Sequence, residues 1–269
     1  MTTTLRRYAA AFLACIGFSL PAAATTYSTD YTDLWWVPSE NGHGVNIVHQ
    51  GNTLFVSIYV YGPDLQPHWY FASGMTGNAT TFTGALYRAS GTPHGAPWNP
   101  GQFNFNPVGT ITLNFTTDSQ ATISYTSDTG SVNKTIVRNT FKANDLTGRY
   151  LGGVVALSNT CGSPDNNNKR ISIANELIVT HSGNPRFVVN FTTVAGAAAS
   201  CTFTGAYTQE GKLGSIPNGT WSCTGGANNV GTFNMRQIDA RVAGINAVVT
   251  MQDQYCRYVG YFGGVTDVQ

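Results

Sequence analysis

Thr81-Phe82-Thr83-Gly84-Ala85 returns, residue for residue, as Thr202-Phe203-Thr204-Gly205-Ala206, 121 positions further along the chain. Three looser matches keep nearly the same interval and the same order. Asn52-x-Leu54-Phe55-Val56 matches Asn175-x-Leu177-Ile178-Val179, Pro67 matches Pro185, and Val108-Gly109-Thr110 matches Val230-Gly231-Thr232. Ordered matches separated by small insertions argue for two copies of one unit. The interval is far longer than a solenoid repeat, so each copy is expected to be a small domain with its own core.

Within each copy the chain alternates short β-branched and aromatic runs with Gly, Pro and Asn punctuation. Leu54-Phe55-Val56-Ser57-Ile58-Tyr59-Val60-Tyr61, stopped by Gly62-Pro63-Asp64, is typical. In the first copy strands are expected near 34–37, 44–49, 54–61, 68–73, 82–89, 109–117, 121–126 and 132–141, with one long connection at 91–107. In the second they are expected near 149–157, 171–180, 186–193, 200–208, 219–223, 231–240, 245–251 and 256–262, after a junction at 142–147. No stretch carries a sustained helical period. The fold class is therefore all-β: two tandem antiparallel eight-stranded β-barrels, each a calycin- or avidin-like meander, with a β-sandwich as the alternative. In-strand glycines such as Gly84, Gly205 and Gly260 suit the coiling that closure demands.

The start of the chain has the form of an export signal. Arg6 and Arg7 precede the apolar run Tyr8 to Leu20, and Ala22-Ala23-Ala24 offers a cleavage site. The expected division is 1–24 signal peptide, 25–143 first barrel and 144–269 second barrel, with the mature protein periplasmic or secreted. Lipidation at Cys15 is the alternative, although the apolar run before it is short. No later run reaches the ~20 apolar residues that span a bilayer. Four cysteines follow the signal, an even number that suits two disulfides in an exported chain. Barrel closure would bring the end of the second copy's first strand beside the start of its last. That pairs Cys161 with Cys256 and leaves Cys201 with Cys223 across adjacent strands.

Charged residues are 10% of the chain and the net charge is +1. Without a basic stripe, nucleic acid is not an expected partner. No His or Cys spacing signals a metal, and no cofactor is implied. No Gly-x-Ser-x-Gly occurs, and Glu is confined to Glu40, Glu176 and Glu210. The reading is thus a binding protein rather than an enzyme, with oligomeric state open. Four of five tryptophans lie in the first copy. Trp35, Trp36, Trp69, Tyr70 and Trp98, with Glu40 and His43, are the expected ligand-binding residues, for a glycan or a small apolar ligand. Trp35 and Trp36 are consecutive, so a strand turns one inward and one outward, where the 91–107 loop can bring Trp98 over it. Two alternatives stand beside this. One is a polysaccharide or cell-wall hydrolase using Glu40 and a nearby Asp, with Asp33 and Asp64 as the neighbours. The other is an envelope structural, interaction or inhibitor protein.

Trp35-Trp36-Val37-Pro38-Ser39-Glu40-Asn41-Gly42-His43-Gly44 resembles a W-W-x-P-x-x-x-G-x-G module that recurs in exported bacterial proteins without an assigned activity. There a G-[DN]-T-L-F strand and a Gly-x-Pro-x-Trp strand follow; here they correspond to Gly51 to Phe55 and Leu65-Gln66-Pro67-His68-Trp69. The resemblance covers roughly residues 31–142 and implies export and a β-rich domain. Val37 stands where Asn is common, and His43 where an aromatic is common. Thr147-Gly148-Arg149-Tyr150 and the eight-strand rhythm resemble avidin-type barrels, over too few residues to carry a biotin site.

Overall fold

A computed structural model describes residues 29–193, 195–224 and 230–268. The expected signal peptide lies outside these residues. Eight strands form the first unit: β1 (Asp33–Trp36), β2 (Gly44–Gln50), β3 (Thr53–Tyr61), β4 (Pro67–Gly77), β5 (Thr81–Ser90), β6 (Asn104–Phe115), β7 (Gln120–Ser127) and β8 (Gly130–Arg138). Each pairs antiparallel with the next. β1 then pairs with β8 through Trp35 opposite Arg138, closing the sheet into a barrel.

Period-two alternation explains the interior. On β3, Leu54, Val56 and Ile58 are buried, while Phe55, Tyr59 and Tyr61 point outward. The even residues of β5 and the odd residues of β6 and β7 supply the facing wall, with Phe82, Leu86, Ile111, Leu113 and Ile123 buried.

The second unit comprises β9 (Gly148–Asn159), β10 (Arg170–Ser182), β11 (Asn184–Thr192), β12 (Ala198–Gly205), β13 (Thr208–Glu210), β14 (Leu213–Cys223), β15 (Val230–Arg241), β16 (Gly244–Gln252) and β17 (Arg257–Thr266). β9 pairs with β17 and β12 with β14, so eight strands close a second barrel. The three-residue β13 is extra: it folds onto the start of β14 as a flap. The eight-strand barrel is as expected; the difference lies in the turn, because the segment between the strands expected at 200–208 and 219–223 supplies β13 and the start of β14, joined at Gly211-Lys212.

Both expected disulfides form. β9 and β17 pair as far as Asn159 opposite Arg257, which delivers Cys161 to Cys256. Cys201 and Cys223 are direct cross-strand partners on β12 and β14.

The repeated pentapeptide is not a true correspondence. Thr81–Ala85 lies on the fifth strand of its barrel, whereas Thr202–Ala206 begins on β12, the fourth strand of the other. The Asn52 and Pro67 matches slip by one strand in the same way; Val108–Thr110 and Val230–Thr232 do share the sixth strand. Hydrogen bonds reveal the equivalent positions. Asp30 Oδ1 accepts from Thr32 N at 2.8 Å, Thr32 Oγ1 from His49 N at 2.9 Å, and His49 Nδ1 from Tyr31 N at 3.3 Å. In the second barrel Asp145 Oδ1 accepts from Thr147 N at 2.9 Å, Thr147 Oγ1 from His181 N at 3.2 Å, and His181 Nδ1 from Leu146 N at 3.3 Å. Asp30-Tyr31-Thr32 therefore corresponds to Asp145-Leu146-Thr147, and His49 to His181.

These two segments cap the facing ends of the barrels. Tyr31 is stacked on Phe115 with ring centroids 3.5 Å apart and lies edge-on to Phe82, filling the floor of the first barrel. Leu146, fully buried, does the same in the second and receives the Tyr150 hydroxyl on its carbonyl at 3.0 Å. Between the floors, Arg138 has a fully buried side chain. Its guanidinium donates to Asp33 Oδ2 at 2.9 Å, Asp118 O at 2.7 Å and Asp30 O at 2.6 Å, and lies 4.8 Å over the Trp35 ring. The β13–β14 turn docks here: Gly211 N donates to Thr140 Oγ1 at 2.7 Å. Gln237 on β15 adds a hydrogen bond to Asp118 Oδ2 at 2.9 Å. The barrels thus meet floor to floor.

Candidate functional site

The far end of the first barrel is formed by the β1–β2, β3–β4, β5–β6 and β7–β8 connections. It opens into a cavity of about 360 Å³. Val45, Ile58, Val60, Ile123, Val132 and Ile136 make apolar walls; Trp36, Glu40, His43, Tyr61, Tyr125, Thr129 and Lys134 supply the polar and aromatic rim. The rim follows from local structure. Glu40 N donates to Val37 O at 2.9 Å, turning the chain after β1. Gly42 then adopts φ +89°, where a Cβ would stand 2.8 Å from the Tyr61 ring, so the turn closes over Tyr61 only with glycine. This sets His43 edge-on to Tyr61 at 5.6 Å and places its Nδ1 3.6 Å from Glu40 Oε2. Lys134, reaching in from β8, donates to the same carboxylate oxygen.

A second polar group stands next to Thr129, in the β7–β8 turn and outside the cavity lining. The Tyr70 hydroxyl donates to Asp128 Oδ1 at 2.8 Å, and Arg88 pairs with Asp128 Oδ2 at 2.8 Å. The Tyr70 bond, aided by Arg88, holds the Asp128 carboxyl below its ordinary range against an opposing desolvation. Burial, with nearby Tyr70, pushes the Tyr125 phenol up, so it remains a neutral hydrogen-bonding group.

Of the residues expected to bind ligand, Trp36, Glu40 and His43 converge on this cavity. Trp35 and Tyr70 are instead core residues, 1% and 0% exposed, because their strand positions point inward below the mouth. Trp69 and Trp98 lie on the outer surface. Trp98 packs against Phe103 at 6.1 Å, and neither it nor any other residue of the β5–β6 loop lines the cavity beside Trp36. Phe103 meets Phe105 at 5.9 Å, Phe105 meets Tyr87 at 5.5 Å, and Tyr87 meets Phe71 at 5.5 Å. Trp69 and Phe55 complete the row against Phe71, at 5.7 and 6.3 Å. Sequence reading missed this row because its rings come from β3, β4, β5, β6 and a loop, and no two are consecutive.

Asp33 and Asp64 do not join Glu40. Asp33 is bound to Arg138 at the opposite end of the barrel, and Asp64 lies 3.5 Å from His68. Glu40 is the sole carboxylate among the described residues lining the cavity. Among the described residues no group of three or more His, Cys, Asp or Glu is arranged to hold a metal.

Aromatic side chains occupy the interior of the second barrel. Phe203 packs edge-on against Phe233 and Phe262 at 5.5 and 5.6 Å, and Phe187 meets Phe262 at 5.3 Å, filling the lumen. Its mouth carries an open depression of about 440 Å³ beside the Cys161–Cys256 bridge, lined by Ile171, Tyr255 and Tyr258 together with Ser158, Asn166 and Lys169. No helix among the described residues is long and apolar enough to cross a membrane. No protein-family model, curated protein or solved structure matches this chain.

Proposed function

We propose that this chain is an exported, non-catalytic binding protein whose first barrel holds a small, largely apolar molecule in its open end. One observation carries the reading: the first barrel keeps a cavity of about 360 Å³ with apolar walls and a polar rim, while the lumen of its sister is packed with aromatic rings. That volume lies within the usual range for small-molecule sites, and apolar walls with few polar groups are their usual lining. The rim hydroxyls of Tyr61, Tyr125 and Thr129 can donate to a ligand acceptor, and the charge of Glu40 is offset by Lys134. An uncharged ligand with an acceptor at one end, such as a ketone, ester or lactone, suits this lining. Two disulfides accord with an oxidising compartment and hence with export.

The hydrolase alternative needs two carboxylates flanking one bond. Glu40 has Lys134 and the His43 ring as its neighbours and no carboxylate partner in the cavity, so this reading has less support.

Fluorescence titration with the apolar probe phenylnaphthylamine tests the binding reading. Wild type should enhance its emission saturably, and an aliphatic lactone should displace it. Val132→Trp, which fills the cavity from a partly open wall position, should abolish the enhancement while leaving the circular dichroism spectrum intact. Undiminished binding by that variant would remove the mouth as the site.

A further inference from the structure

We propose that the outer wall of the first barrel, separately from its mouth, binds an uncharged polysaccharide chain along the aromatic row. The row is long and open. Phe55, Trp69, Trp98, Phe103 and Phe105 are 40–66% exposed, and neighbouring centroids are 5.5–6.3 Å apart from Phe55 through to Trp98. Rings on adjacent strands are expected at about this separation, since strands lie ~4.8 Å apart. An exposed apolar strip of this extent on a soluble protein marks an interaction site.

Charge selects the occupant. Within the strands β3, β4, β5, β6 and β7, leaving out their connections, Arg88 is the only Lys, Arg, Asp or Glu, and it is paired with Asp128 at the mouth. The wall beside the rings carries hydroxyl and amide groups at outward positions: Thr83 opposite Thr112 opposite Ser124, and Thr81 opposite Asn114 opposite Thr122. An anionic lipid surface or an acidic glycan calls for basic side chains next to the aromatics, and the wall has none. A neutral sugar chain matches both halves. The C–H faces of its rings pack on aromatic carbon, and its hydroxyls exchange hydrogen bonds with the Thr, Ser and Asn field.

Affinity electrophoresis through gels containing hydroxyethylcellulose, mixed-linkage β-glucan or galactomannan tests this, alongside pull-down on microcrystalline cellulose and chitin. At least one neutral polymer should retain the wild type, and polygalacturonate should not. Trp69→Ala/Tyr87→Ala should weaken retention at least tenfold while preserving phenylnaphthylamine binding at the mouth, which shows the barrel is folded and keeps the two sites distinguishable. Trp69→Phe should recover most of the affinity. Retention by none of the neutral polymers, or equal retention of the double variant, would overturn the proposal. So would self-association in sedimentation velocity, or binding to phosphatidylglycerol vesicles, that the double variant loses, since the row would then serve a second copy or a membrane.

Discussion

Asp33 Oδ2 and the backbone nitrogen of Lys212 lie 3.0 Å apart, joining the first strand of one barrel to the flap turn of the other. The same oxygen accepts from Arg138, so one carboxylate ties an internal cation to a neighbouring domain. A buried charge held from two sides is costly to strip of either partner.

Gly211 makes that contact sterically feasible. It sits at φ +63°, and a Cβ there would stand 2.4 Å from Asp33 Oδ2 and 2.7 Å from Arg138 Cβ. Gly211→Ala should cost about 1–3 kcal/mol through strain and the displaced hydrogen bonds. Scanning calorimetry should then show two separated transitions in place of overlapping ones, because each barrel retains its own core.

Arg138→Met leaves Asp33 without its buried partner. A loss of about 3–5 kcal/mol is expected, read from urea denaturation followed by Trp35 and Trp36 emission. Adding Asp33→Asn should recover part of it, whereas additive losses would show that the pair is not coupled.

Acid should loosen the joint. Burial opposes ionisation of Asp30, but hydrogen bonds from Lys212 and Thr32 outweigh it and lower its pKa. The Lys212 Nζ–Asp30 Oδ2 distance is 2.6 Å. A carboxyl with a lowered folded pKa contributes stability that is complete above its ordinary value of 3.8 and is lost as pH falls through the folded value. Stability of wild type should therefore decline below about pH 4 more steeply than that of Lys212→Met, as followed by thermal melts across pH.

Alkali should act at the opposite end. Burial, followed by the hydrogen bond to Asp253 and that carboxylate's charge, pushes the Tyr258 phenol up to about 12. A raised folded pKa favours the protonated phenol, so this contribution is whole below the ordinary value of 10.0 and disappears as pH rises towards about 12. Tyr258→Phe should flatten the stability profile in that window; an unchanged slope would assign the alkaline loss elsewhere.

Both disulfides staple the second barrel, but they close loops of different length, with sequence separations of 95 and 22. Replacing Cys161 and Cys256 together by Ser should cost about 2–5 kcal/mol and exceed the cost of replacing Cys201 and Cys223, since loop entropy grows with length. The transition of the first barrel should be unmoved in both variants.

Much of the barrel architecture was legible because it is written locally. Alternation along Leu54–Tyr61 fixes an inner and an outer face, and Gly-Pro-Asp ends the run. Closure was read from the plain meander and the in-strand glycines, and it in turn predicted the Cys161–Cys256 bridge that forms. What escaped depends on contacts between distant strands. Lys134 meets Glu40 from 94 residues away. β13 is three residues long and pairs with the start of β14, so the segment between the strands expected at 200–208 and 219–223 read as a turn. Alternation required Trp35 and Trp36 to part but left open which would enter the core; Trp35 does, under the Arg138 guanidinium. The pentapeptide pointed to a doubled architecture from strands that do not correspond, since Thr-rich strands of similar burial converge easily in sequence.

Tyr31 lends the mouth a property that its own lining does not reveal. With that ring seated on Phe115 and the sister barrel beneath it, the cavity is a blind alley. Under the proposed binding role, a guest would enter and leave by the same door, and its dwell time would fall to the Glu40–Gly44 turn and the loops around it.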